Sequence, residues 1–220
     1  MEEGLKKMSN STAIKLCALA VSLLFLSGFT STHEQRSDDR YISPLDNFSV
    51  PIPKGVGQRV QDKNDENGGM VSFHDDFGSL RSIFYIRLSP KTLKIQNDPE
   101  KQRANLKSFL NEYAMRWLIR PNSPNASILH QEHLKMDNHN AYFALISIPS
   151  GSTMFDAKAN KRYDTKRGAL IFVRGKFLYM LSSGENPSVF DLGDPSKSLD
   201  KLLEQEKKKL LSFRSEAIFK

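Results

Sequence analysis

From residue 48 onward, short runs in which every second residue is apolar give way to longer stretches in which apolar residues recur every third or fourth position. A period of two marks a strand, and one near 3.6 marks an amphipathic helix. FSVPIP, residues 48–53, sets Phe48, Val50 and Ile52 against Ser49, Pro51 and Pro53. Proline has no N–H to give a ladder, so this segment reads as a strand at a sheet edge. Residues 54–68, rich in Gly, Asn and Asp, read as a polar loop. GMVSFH (69–74) predicts a second strand, Asp75 to Gly78 a turn, and residues 80–88 a third strand. In that third strand Leu80, Phe84, Ile86 and Leu88 share a face with Ser82. Arg81, Ile83, Tyr85 and Arg87 take the other face. One strongly apolar face and one mixed face predict an antiparallel sheet covered mainly on one side.

Helical spacing begins after Asp98-Pro99, a good N-cap followed by a good first helical residue. Leu106, Phe109, Leu110, Tyr113, Trp117 and Leu118 form one stripe, which places Trp117 in the core, and Pro121 ends the helix. Strands follow at about 126–136, 141–148 and 169–182, the last holding a hairpin turn at Arg174-Gly175. Asp194-Pro195 repeats the cap-and-proline start. Leu199, Leu202, Leu203, Leu210 and Leu211 then form a second stripe, backed by Lys and Glu. Strands in runs, broken by helices, predict an α+β fold: an antiparallel β-sheet flanked by two amphipathic helices. Residues 41–215 are expected to hold the whole core and to fold cooperatively without metal.

The N-terminus has a different character. Lys6, Lys7 and Lys15 precede the apolar run Leu16–Phe29. The run is short for a membrane span and fits the apolar part of an export signal. The division expected is a signal peptide or membrane anchor over 1–29, a flexible tether over 30–43 and a single α+β domain over 44–220. Met8 is a second candidate initiator. Leu26-Ser27-Gly28 resembles the end of a lipoprotein signal, but Phe29 stands where the lipidated cysteine would be. The location expected is periplasmic, or membrane-anchored facing the periplasm.

Cys17 is the one cysteine, so the domain beyond residue 29 has no disulfide, thiolate metal site or cysteine nucleophile. Net charge is +7; residues 1–29 carry three lysines against two glutamates, so the remainder stays at +6. A basic surface favours anionic partners. Export argues against nucleic acid, and no basic run is interleaved with stacking aromatics.

The order of elements, with FSVPIP at the start and NAYFALISIP and RGALIFVRGKFLYMLSSG in the second half, resembles the PsbP-like superfamily. That group includes extrinsic photosystem proteins and DcrB-type bacterial envelope proteins. The resemblance covers roughly residues 41–215 and is one of strand and helix pattern. It implies a sheet backed by helices, an envelope or lumenal location and a binding or assembly role, with no family active site to carry over.

Three clusters carry candidate chemistry. Residues 149–168 form a long connection with Lys158, Lys161, Arg162, Lys166 and Arg167 beside Met154, Phe155 and Tyr163. Such a connection is a functional loop or the tip of an extended hairpin. Lys158, Lys161 and Arg162 are the expected binding residues, for an envelope protein or an anionic membrane surface. His74 with Asp75 or Asp76 offers a base beside a carboxylate, the alternative being a small-molecule hydrolase. No serine-nucleophile motif accompanies it, and turn chemistry accounts for the two aspartates. His130, Glu132, His133, Asp137 and His139 have metal-ligating types. On a strand, however, His130 and His133 point to opposite faces, so a polar strand end is the simpler reading. No catalytic residue, metal or cofactor is expected, and the protein reads as a non-catalytic binding or assembly factor of the cell envelope.

Overall fold

A computed structural model describes residues 39–54, 57–76, 79–96, 98–137, 139–152, 155–158, 160–185 and 199–220. The signal segment, residues 30–38 of the tether, Met154 and Asp194-Pro195 lie outside the described residues.

Strands dominate, as the two-residue period requires. They are β1 (Arg40–Ile42), β2 (Phe48–Pro51), β3 (Arg59–Asn64), β4 (Gly68–His74), β5 (Leu80–Arg87), β6 (Ser127–Met136), β7 (His139–Ile148), β8 (Phe155–Asp156), β9 (Lys161–Arg162), β10 (Thr165–Arg174), β11 (Phe177–Glu185) and β12 (Ile218–Phe219). The helices are α1 (Pro90–Gln96), α2 (Pro99–Ser108), a π-helix (Phe109–Ile119) and α3 (Leu199–Glu216). The main sheet has seven strands in the order β3-β4-β5-β11-β10-β7-β6, with antiparallel pairing throughout. The fold is therefore α+β with an antiparallel sheet and flanking helices, as the element order predicts.

Both faces of this sheet are covered, against the one-sided expectation. On one face Phe84, Tyr142, Ile171 and Met180 pack with Leu106, Leu110, Tyr113 and Met115 of α2 and the π-helix. On the other, Ile83, Tyr85, Phe143, Leu170 and Tyr179 pack with Leu210 and Phe213 of α3 and with Phe48 and Val50 of β2. The mixed face of β5 works because its arginines sit at the strand ends. Arg81 lies over the Phe213 ring and Arg87 over the Phe177 ring, at 5.7 and 5.3 Å from the centroids. Their stems cover apolar surface while their heads reach outward.

FSVPIP is not an edge strand. β2 is the middle of a second, three-stranded sheet, β1-β2-β12, flanked by residues 40–42 and 218–219. Pro51 is tolerated because it closes the strand. Arg40 lies within the expected tether and Phe219 beyond residue 215. Yet Arg40 Nη2 donates to the Ser49 and Glu216 carbonyls, and Phe219 packs on the Tyr179 ring at 4.7 Å. The folded unit thus runs past both ends of 41–215.

Part of the expected 54–68 loop is the edge strand β3. Its polar residues are used: Tyr41 Oη donates to Asp62 (3.0 Å) and Tyr85 Oη to Asn64 (2.6 Å). Burial, and then the Asp62 charge, hold both phenols well above the ordinary tyrosine value.

The first long helix begins as its cap predicts, Asp98 accepting from the N–H groups of Glu100 and Lys101. It then widens. From Phe109 the winding is π, with the Arg120 N–H donating to the Met115 carbonyl five residues back. The wider turn moves the buried stripe: Met115 is buried and Trp117 is 37% exposed. The core position read for Trp117 assumed 3.6 residues per turn throughout.

Candidate functional site

The 149–168 connection is a hairpin that extends past the sheet. Its base is anchored: the Ser152 N–H donates to the Tyr163 carbonyl (3.0 Å), the Ser150 N–H to Asp164 Oδ1 (2.9 Å), and Ser152 is fully buried. Beyond the base, β8 and β9 pair Phe155 with Arg162 and Asp156 with Lys161. Lys158, Lys161 and Arg162 are all exposed, and Phe155 is 58% exposed, the highest value among the described large hydrophobics. The structure therefore sets Arg162 beside the outward Phe155 ring and Lys161 on the opposite face of the ribbon, with Lys158 in the turn that joins the two strands. A cation cluster beside an exposed ring on an ordered stem can attract an anionic surface and insert a side chain into it.

His74 ends β4, and its surroundings are cationic. Burial lowers its pKa, helped by the charges of Arg59 and Arg167; Asp75 opposes them only weakly. Asp75 instead accepts the Ser79 N–H (2.8 Å), holding the turn, and Asp76 pairs with Arg59 (3.3 Å). A cavity of about 160 Å³ includes Asp75 together with Phe73, Arg81 and Ser183 but not His74. The two aspartates of the hydrolase reading thus serve the turn and the Arg59 pair.

The His130–His139 cluster is dispersed. His130 and Glu132 lie 3.6 Å apart on the α3 face, where Lys207 takes the Glu132 carboxylate at 2.8 Å and, as the main cause, lowers its pKa. His133 points to the other face, edge-on to the Tyr142 ring at 4.6 Å. Asp137 pairs with Arg214 and His139 with Arg174. No three potential metal ligands converge among the described residues.

A cavity of about 230 Å³ lies where no site residue was expected, between α1, the π-helix and the ends of β5 and β11. Ile86, Leu88, Ile95, Phe109 and Leu178 give it apolar walls, with Gln96 and Glu112 among its polar groups. Gln96 Oε1 is buried without a hydrogen-bond partner. The signal was in the sequence. Ser89-Pro90 is a cap-and-proline start like Asp98-Pro99, and the Thr92 N–H does donate to Ser89 Oγ (3.2 Å).

The fold is similar to that of a solved PsbP. This is the solution structure of cyanobacterial PsbP (CyanoP) from Synechocystis sp. PCC 6803, at TM-score 0.44 and 12% identity, over 88% of this chain and 100% of that one. A crystal structure from Bacteroides thetaiotaomicron VPI-5482 is similar at TM-score 0.42 and 11% identity, over 83% of this chain and 48% of that one. Both likenesses concern the fold alone. No known family's sequence profile matches the chain, and no curated protein matches it.

Proposed function

We propose that the protein is a non-catalytic binding module, exported and held at the cell envelope, which meets an anionic membrane surface through the 155–162 hairpin. The observation that carries this reading is an anchored hairpin on which Lys158, Lys161 and Arg162 are all exposed and Arg162 stands across from the outward Phe155. The lysine-flanked apolar run at 16–29 supports export. Among the described residues no helix is long and apolar enough to cross a membrane. Contact of the domain with lipid would therefore be a surface contact.

Flotation with vesicles tests it. Vesicles rich in anionic lipid should carry the protein, and neutral vesicles should not. Binding should weaken as salt rises to physiological strength, since exposed charges are screened over about 8–10 Å. Changing Lys158, Lys161 and Arg162 together to Ser should remove most of the binding and leave the melting temperature unchanged. Equal flotation with both lipids, or an unaffected triple variant, would overturn the reading.

A further inference from the structure

Two adjacent rows of side chains cross the main sheet on its α2 face. The first contains Ser72, Ser82 and Ser182, which are direct cross-strand partners on β4, β5 and β11. The second, two residues along, runs from His74 through Leu80 and Gly184 to Arg167. Paired residues share a face, so the three hydroxyls and the two basic groups project to the same side. Ser72 and Ser82 are 7% and 8% exposed, yet none of the three hydroxyls makes a hydrogen bond among the described residues. None of the three oxygens is among the sealed polar atoms that lack a partner, so each is open to water or a ligand.

Arg167 explains the pattern. A side chain on Gly184 would begin 3.0 Å from Arg167 Cγ and 3.5 Å from its Nε, so the arginine lies flat over β11 at a position without a Cβ. Its head is thereby carried toward β5 and β4, where His74 stands. Burial alone lowers the Arg167 pKa, and among the described residues no carboxylate pairs with it. The side chain is half-buried, and a guanidinium so placed without a counter-charge is one that a soluble anion can reach and pair with. Arg59, the row's outermost member, adds charge but is partnered by Asp76. Arg167 and His74 thus belong to one cross-strand row, next to the row of Ser72, Ser82 and Ser182.

We propose that Arg167, His74, Ser72, Ser82 and Ser182 form a binding site for a small soluble oxyanion of the phosphate class. Arg167 supplies the counter-charge and a two-pronged donor. Ser82 and its neighbours donate to the remaining oxygens, and Gly184 keeps the floor low enough for the arginine to lie across it. The site is separate from the 155–162 hairpin, so either proposal can fail without the other.

Thermal unfolding and titration calorimetry on the full chain test it, with inorganic phosphate as probe, sodium chloride at matched ionic strength as reference, and glycerol 3-phosphate as a headgroup-like arm. Phosphate should raise the melting temperature saturably and chloride should not. Tighter binding of glycerol 3-phosphate would assign the site to an organic phosphate, and tighter binding of inorganic phosphate to the free ion. Arg167→Met should weaken binding about tenfold or more, the scale of one charged hydrogen bond. It should leave the unliganded melting temperature equal or higher, because an uncompensated charge is removed. Ser82→Ala should weaken binding while leaving unliganded stability nearly unchanged. Identical responses to phosphate and chloride, or a phosphate shift retained in Arg167→Met, would refute the site.

Discussion

Tyr179 and Asn47 lock the two sheets together: the tyrosine hydroxyl donates to the Asn47 carbonyl (3.1 Å) and accepts from Asn47 Nδ2 (3.1 Å). Asn47 immediately precedes β2, and Tyr179 is the third residue of β11, stacked on Phe172 with ring centroids 5.5 Å apart. Both residues are buried, so neither polar end can turn to water. Tyr179→Phe should therefore cost about 1–3 kcal/mol, the penalty for buried partners left unsatisfied. Chemical denaturation would measure it. A change below about 0.5 kcal/mol would mean that the junction does not depend on this pair.

Widening of the helix at Phe109 gives a contrast between two neighbours. Met115→Ala should cost about 2–5 kcal/mol, since Met115 is buried in the α2-side core. Trp117→Ala, at an exposed position over which Arg116 lies at 5.0 Å, should cost about 1 kcal/mol or less. The reverse order of costs would restore an α-helical register through residue 117.

Where the sequence and the fold part company, the causes are local. Asp98-Pro99 marked its helix because capping is a matter of a few adjacent atoms, and the apolar runs in β5, β7, β10 and β11 marked strands but not that both of their faces would be covered. β3 was not legible because RVQDKN is polar; it is held by its edge position and by phenols from Tyr41 and Tyr85, which lie far off in sequence. β12 is two residues long and has no period to show. The hairpin residues Lys158, Lys161 and Arg162 could be found from charge and loop length. The serine row could not, since Ser72, Ser82 and Ser182 meet only once the register is fixed.

Truncation at residue 215 should be destabilising, although both amphipathic helices would remain nearly whole. It removes Ala217, which is buried, and Phe219, whose ring packs on Phe48, Phe172 and Tyr179. Phe219→Ala alone should cost about 3 kcal/mol. A 41–215 fragment melting at the temperature of the full chain would show that β12 is dispensable.

Stability should also fall on mild acidification. The folded-state pKa of His74 is lowered by burial first and then by Arg59 and Arg167, and that of His133 by burial and by Arg103 and Lys107. The unfolded chain therefore binds protons that the folded chain resists. Stability is full above the ordinary histidine value of 6.5 and declines as pH falls from there toward the folded values. His74→Gln should flatten part of that decline. Melting temperatures between about pH 7.5 and 5.5 would show it, and a parallel decline in the variant would remove His74 from the account.

β12 pairs with β2, so Ile218 meets Ser49 and Phe219 meets Phe48. A ribosome makes these partners far apart in time. When Phe48 and Val50 first emerge, β2 can find β1 but lacks its other neighbour and most of the strands beneath. The small sheet stays open-edged until residues 218–219 arrive. Loop closure over such a separation is slow compared with local pairing. During that interval the chain has an exposed apolar strand and a free backbone edge, the features that a holding chaperone recognises. Completion of the small sheet should thus come late, with β12 acting as the clasp.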